Sequence, residues 1–118
     1  MILADTSVWI DHFRRGNARL GALLDAGEVA MHRFVVGELA MGRLDARRQI
    51  LELLSGLPEL PTVTHEEALH FVDAHRLGGF GLGWIDVHLL AAAIVARVPL
   101  WTLDRKLASA HDRLARST

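Results

Sequence analysis

Apolar positions along the chain alternate between short runs and longer helical stripes. Residues 2–4 form a run that stops at Asp5, and residues 7–13 continue with helical spacing, which predicts a strand and then a helix. Leu20, Leu23 and Leu24 give residues 17–26 the same spacing, with Gly27 where a helix stop belongs. Residues 29–31 read as a second strand, and residues 34–44 and 47–54 as two further helices before Gly56 and Pro58 break the pattern. Residues 60–63, "LPTV", are predicted to form a third short strand. Thr64 or His65 then opens a helix to about Leu77, with Glu66 and Glu67 in its first turn, where the helix dipole favours acids.

The glycines of "GGFGLG", residues 78–83, make a loop in front of "GWIDVHLLAAAIVA", residues 83–96, a helix that is apolar almost throughout. After Pro99, "LWTL", residues 100–103, is a strand ending at Asp104, and a last helix carries Leu107 and Leu114. Strands alternating with helices in this way imply an α/β fold: a three-layer α/β/α sandwich around a central, mostly parallel sheet. At 118 residues the chain is expected to form a single domain, residues 1–118, with one core.

Composition narrows the function. With 51% hydrophobic and 23% charged residues the chain is globular rather than disordered. A mean hydropathy of +0.23 is on the apolar side for a small domain, which points to a partner covering some apolar surface. The longest apolar run, residues 89–96, is far short of the roughly 20 residues that cross a bilayer. Asp5 interrupts what would be the apolar segment of an export signal. The absence of cysteine suits a reducing compartment, so the expectation is a cytoplasmic protein with no membrane span. A net charge of −1 lacks the general basicity of a protein that holds nucleic acid by charge alone, and any polyanion would need a local device. Lys106 is the only lysine; the other cations are arginines, whose forks suit phosphate or carboxylate.

Four acids stand out against this pattern. Asp5 and Asp104 each follow directly on a predicted strand, and in an open parallel sheet such strand ends lie along the ligand-bearing carboxyl edge. Taken singly, each is equally well the N-cap of the helix that follows. Glu38 has Phe34, Val35, Met41 and Gly42 three and four positions away, an apolar stripe, although a helix margin or a pairing with Arg43 would also account for it. Asp86 is the sharper case: its helix neighbours are Leu89, Leu90 and Ala93, and His88 is the only other polar side chain between Trp84 and Ala96. A first-turn acid favoured by the dipole, or a buried partner of an arginine, is the plain alternative. Burying an ionised carboxylate costs several kcal/mol unless it is compensated, and four converging acids repel one another unless a cation sits among them. Mg²⁺ and Mn²⁺ take hard oxygen ligands of this kind, so an acidic metal pocket is expected.

Taken together, "ADTSVWID", "GELAMG", "GWIDVHLLAAA" and "LWTLDRKL", in this order and across nearly the whole chain, resemble the PIN-domain ribonucleases, and specifically the VapC-type toxins of bacterial toxin and antitoxin pairs. The resemblance implies a PIN-like fold and a catalytic, metal-binding set made of Asp5 of "DTS", Glu38 of "GELAMG", Asp86 of "WIDVHLL" and Asp104 of "TLD", holding Mg²⁺ or Mn²⁺. It also implies supporting hydroxyls at Ser7 and Thr102. One departure is visible: some members carry a further acid two positions after the last aspartate and an aromatic just beyond, where this chain has Lys106 and Leu107.

By the same resemblance the activity is hydrolysis of RNA phosphodiester bonds by a metal-activated water, leaving a 5′-phosphate and a 3′-hydroxyl. Arg14, Arg15, Arg105 and Lys106 lie close to the acids in sequence and are candidate phosphate contacts. The partners implied are the RNA substrate, a second copy in a homodimer, and a cognate VapB-type antitoxin that inserts a helix and an extended tail into the active-site groove. Trp9, Trp84 and Trp101 suit such interfaces, as they equally suit a core.

Rival chemistries are weaker. "HEEALH", residues 65–70, resembles a zinc-protease motif, but histidines five apart on a helix diverge by roughly 140° and cannot share one ion. "GGFGLG" does not fit the dinucleotide fingerprint and follows no strand. An aspartyl-phosphate phosphohydrolase also places an acid after its first strand, yet wants a second aspartate where this chain has Ser7. A non-catalytic module of the same fold that binds RNA or protein, with the acids as caps and ion-pair partners, is the remaining alternative.

Overall fold

A computed structural model describes residues 1–117, in which β1 (Ile2–Ala4), β2 (Val29–Ala30) and β3 (Leu100–Trp101) form one parallel sheet in the order β2-β1-β3. Leu3, Ala4, Val29, Ala30 and Leu100 are all buried, as strands covered on both faces require. The helices are α1 (Thr6–Arg15), α2 (Ala18–Asp25), α3 (Arg33–Met41), α4 (Arg47–Ser55), α5 (His65–Ala74), α6 (Trp84–Ala96) and α7 (Arg105–Ser117).

Strand order positions the site. The chain leaves β1 through α1 and α2 to reach β2 on one side, then returns through α3 to α6 to β3 on the other side. Right-handed crossovers to opposite sides of a central strand lay their helices on opposite faces and open a crevice beyond the carboxyl ends of the two strands where the direction changes. Those strands are β1 and β3. Accordingly α1 and α2 rest on β1 and β2, and α6 and α7 rest on β3.

Local chemistry sets the helix ends. Gly16 turns the chain with a positive φ of 73°, and the Asn17 side chain caps α2 by accepting the Leu20 N–H at 3.0 Å. Thr64 and Glu67 exchange bonds as a capping box at the start of α5. The helix α6 is apolar on nearly every side because it is a core helix, with residues Val87 through Ala93 all buried.

Two expectations need correction. Residues 60–63 are not a strand; only Met31 and Glu59 pair, as a single parallel bridge, between Pro58 and Pro61, which offer no N–H to extend it. The helix expected over residues 34–44 ends at Met41, because Gly42 leaves the helical conformation with ψ 178°.

Candidate active site

The register of β1 against β3 decides which groups meet. Leu3 pairs with Leu100 and Ala4 with Trp101, and the Asp5 N–H donates to the Trp101 carbonyl at 3.0 Å. The next residue on each strand, Asp5 and Thr102, therefore face one another at the carboxyl edge, where the Thr102 hydroxyl donates to Asp5 Oδ2 at 2.6 Å. Asp5 is also the N-cap of α1, its Oδ1 accepting the Ser7 N–H at 3.0 Å, a short bond from the Ser7 hydroxyl and a longer one from the Val8 N–H. With one proton each given to Asp5, both hydroxyls accept from the β3–α7 turn: Ser7 Oγ takes the Leu103 N–H at 2.9 Å and Thr102 Oγ1 the Asp104 N–H at 3.0 Å. Ser7 and Thr102 thus cross-link the ends of both strands through the Asp5 carboxylate. Oδ1 of Asp5 is filled, whereas Oδ2, with one donor, keeps lone-pair capacity.

Asp104 caps α7, its Oδ1 accepting the Lys106 and Leu107 N–H groups at 2.9 and 3.0 Å. Asp86 lies in the first turn of α6, whose N-cap Gly83 has no side chain to offer; Asp86 Oδ2 accepts the Gly83 N–H at 3.2 Å instead. A carboxylate in this apolar helix thus caps its first turn and keeps its other oxygen without a hydrogen-bond partner among the described residues. Glu38, near the end of α3, accepts the Thr6 hydroxyl at 2.8 Å. Thr6 was not singled out from the sequence, although "DTS" places two hydroxyls in adjacent positions, which a helix turns about 100° apart, so one serves Asp5 and the other Glu38.

The four acids form one electrostatic unit. Burial pushes the Asp86 carboxyl above its ordinary range; the Gly83 N–H opposes this, and the charges of Asp104, Asp5 and Glu38 push in the same direction as burial. The degree of burial differs from expectation. Asp5 is buried and Asp86 half-buried, but Glu38 and Asp104 are exposed, because a residue at a helix rim or cap is solvated by default. Among the described residues no group of three or more His, Asp or Glu stands at the spacing of a ready-made ion cage, so the four acids are linked by their fields rather than gathered into a closed coordination sphere. Their donor set nevertheless fits a hard divalent ion: oxygens only, with Asp86 Oδ1, Asp104 Oδ2 and Glu38 Oε2 uncommitted among the described residues.

The basic residues divide. Arg15 is bound to Asp11, whose carboxyl it holds below the ordinary range with help from Asn17. Arg14 lines a 150 Å³ cavity that Glu38 also lines. Arg105 is exposed beside Asp104, and the Lys106 side chain lies over Gly81 of the loop before α6. Behind the acids runs a row of rings, His32, Phe34, His88, Trp84 and His65, with successive centroids 5.1, 4.9, 5.0 and 5.3 Å apart. His32 is fully buried and caps α3, its Nδ1 accepting the Phe34 N–H at 3.0 Å. Trp9 is a core residue, while Trp84 stays 41% exposed beside His65. His65 and His70 are exposed, and His75 is half-buried against Phe71, so the histidines five apart share no site.

Residues 2–112 match the family model of the PIN domain. The chain belongs to the PIN-domain family. It is 47% identical over 111 residues to the protein named Ribonuclease VapC32 from two strains of Mycobacterium tuberculosis, CDC 1551 / Oshkosh and ATCC 25618 / H37Rv, a match covering 93% of this chain and 90% of that protein. The crystal structure of PAE2754 from Pyrobaculum aerophilum superposes with a TM-score of 0.68 over 98% of this chain and 93% of that one, at 18% identity, a likeness of fold. Within this PIN domain the matched residues include all four acids and both cross-linking hydroxyls.

Proposed function

We propose that the protein is a metal-dependent endoribonuclease, the toxin of a toxin and antitoxin pair, with Asp5, Glu38, Asp86 and Asp104 as its metal-binding and catalytic residues. The observation that carries the reading is that Asp86 feels the charge of Asp104, Asp5 and Glu38, while Thr102 links Asp5 to the Asp104 backbone and Thr6, next to Asp5 in sequence, holds Glu38. Kinship with a VapC ribonuclease over nearly the whole chain supports it. When bound, Mg²⁺ or Mn²⁺ supplies neutralisation of a phosphate and a lowered pKa for a water. Asp5 Oδ2 is the best-positioned ligand oxygen because Ser7, Thr102 and the start of α1 hold it immobile. Asp86 and Asp104 present one oxygen each from helix starts whose backbone N–H groups hold the other. Glu38 is aimed by Thr6 from the opposite wall. None of these residues needs to act as a nucleophile.

The partners belong to the same reading: RNA as substrate, a second copy in a homodimer, and a VapB-type antitoxin covering the crevice. No helix among the described residues is long and apolar enough to cross a membrane, which fits a cytoplasmic setting. The deciding experiment is cleavage of a structured RNA pool with Mg²⁺ or Mn²⁺, with chelator, and with an Asp86→Asn protein purified identically. Cleavage that requires both metal and Asp86 is expected. Equal cleavage by the variant would reduce Asp86 to a helix cap, and no cleavage by either protein would favour a non-catalytic binding module.

A further inference from the structure

A trough leads away from the acids on the side of Glu38. The 150 Å³ cavity that Glu38 lines is walled by Ile10, Phe13, Arg14, Leu39, Arg43 and Leu44, and a 380 Å³ cavity sharing Phe13, Arg14, Arg43 and Leu44 continues it toward Asp45. The second volume alone falls within the range of ligand sites. Its position follows from how α1 and α3 lean together: the Thr6–Glu38 bond ties them beside the acids, and nine residues after Asp5 the same helix presents Arg14 one turn beyond Ile10. Arg43 follows α3 directly, and the loop that carries it reaches α4 through Ala46 in a left-handed conformation, φ 52°, without a capping side chain.

The chemistry of the lining selects the occupant. Arg14 and Arg43 are exposed, and among the described residues neither has an ion-pair or hydrogen-bond partner, unlike Arg15 on Asp11, Arg33 on Glu59 and Arg48 on Glu52. Two such guanidiniums beside an apolar wall, sharing it with the acids Glu38 and Asp45 at its two ends, supply locally the positive charge that a chain of net charge −1 lacks overall. Phe13 and the aliphatic side chains offer a face for a base, which only an unpaired nucleotide can present. Asp45 sits at the far end, so the positive stretch is confined to the part next to Glu38.

We propose that this trough is a subsite for an unpaired nucleotide flanking the scissile bond, with its phosphates on Arg14 and Arg43 and its base against Phe13 and Leu44. The proposal rests on the ribonuclease reading and adds to it the path on which an unpaired strand beside the scissile bond would run. The test measures anisotropy of a fluorescein-labelled, random-sequence single-stranded RNA across a salt series, for the full chain and for Arg14→Ala, Arg43→Ala and, as control, Arg33→Ala. Each trough substitution is expected to weaken binding about tenfold and to lower the salt slope by about 0.7, and the control to do neither. In single-turnover cleavage the loss should fall on half-saturation rather than on the maximal rate or the Mn²⁺ isotherm. Unchanged affinity and salt slope in both variants would overturn the proposal and leave the trough to a protein helix. If the wild-type protein cuts no RNA, the ribonuclease reading fails, and the binding series still decides whether the trough holds a nucleotide.

Discussion

The Thr102 hydroxyl stands between two aspartates, donating to Asp5 Oδ2 at 2.6 Å while accepting the Asp104 N–H at 3.0 Å. One side chain therefore orients a buried carboxylate at the end of β1 and the backbone that presents the acid after β3. It can do both because the pairing of Ala4 with Trp101 puts residues 5 and 102 side by side.

Thr102→Val keeps the shape and removes both bonds. Cleavage is expected to fall by about 10- to 100-fold, the usual cost of losing a group that orients a metal ligand. Stability should drop by about 1–3 kcal/mol, because Asp5 loses a donor and the Asp104 N–H an acceptor. Thr102→Ser should restore most of both. Single-turnover rates and denaturant melts on the three proteins check this, and a valine variant with wild-type activity would show that Asp5 is held adequately by Ser7 alone.

Asp86→Asn should separate function from stability. Activity is expected to fall by on the order of a thousandfold if, as proposed, Asp86 is a ligand of the catalytic cation. The raised pKa of Asp86 means that the folded state binds a proton more readily than the unfolded state, so its contribution to stability is lost as pH rises from about 4 through the raised value. At neutral pH the metal-free variant should therefore melt higher than the wild type. With Mn²⁺ the order should reverse, because only the wild type gains binding energy, about 2.7 kcal/mol at a hundredfold excess over Kd. Scanning calorimetry with chelator and with Mn²⁺ reads both effects. A variant that melts lower in chelator would mean that the charge on the Gly83-bound carboxylate contributes more to the helix start than burial and repulsion cost.

Thr6→Val tests the opposite wall. The Thr6–Glu38 bond is exposed, so stability should barely change, yet Glu38 loses the donor that aims it across the crevice. Cleavage is expected to drop about tenfold, with more Mn²⁺ needed for half-maximal rate. An unchanged Mn²⁺ dependence would remove Glu38 from the metal set.

The four proposed acids stand out in the sequence because each breaks an apolar pattern near a strand end or on a helix, and the structure couples them electrostatically. Asp5 follows β1 directly, whereas the strand expected over residues 100–103 ends at Trp101 and leaves Asp104 three residues beyond it as the cap of α7; Asp86 sits in a helix whose middle, Val87 to Ala93, is buried throughout. What could not be read depends on packing between distant segments. That Thr6 rather than Ser7 faces Glu38 follows from how α1 meets α3, and the trough beside Arg14 exists only because the α3–α4 loop brings Arg43 to it. The exposure of Glu38 was hidden for the same reason: its apolar neighbours in sequence belong to a stripe whose edge, not centre, it occupies. The "LPTV" segment has strand-like composition, but Met31 meets the chain at Glu59, one residue earlier, and between two prolines the pairing cannot spread.

His32 predicts an acid-sensitive fold. Burial, reinforced by the repulsion of His88 and Arg33 and opposed by Glu59, lowers its pKa from 6.5 to about 4. Between those values the unfolded chain binds a proton that the folded chain refuses, so stability is fully present above about pH 6.5 and is lost as pH falls toward 4. His88, also lowered by burial, acts in the same direction, while Asp86 acts oppositely over its own window. At about pH 5 the His32 contribution amounts to a loss of about 2 kcal/mol relative to neutral pH. Protonation would also cost α3 its cap, since Nδ1 could no longer accept the Phe34 N–H, and that helix carries Glu38. His32→Asn keeps an acceptor at the cap and cannot titrate. Urea unfolding of the two proteins at about pH 7 and about pH 5 should show the wild type losing about 2 kcal/mol more than the variant. Equal losses would place the acid sensitivity elsewhere, with His88 the next group to replace.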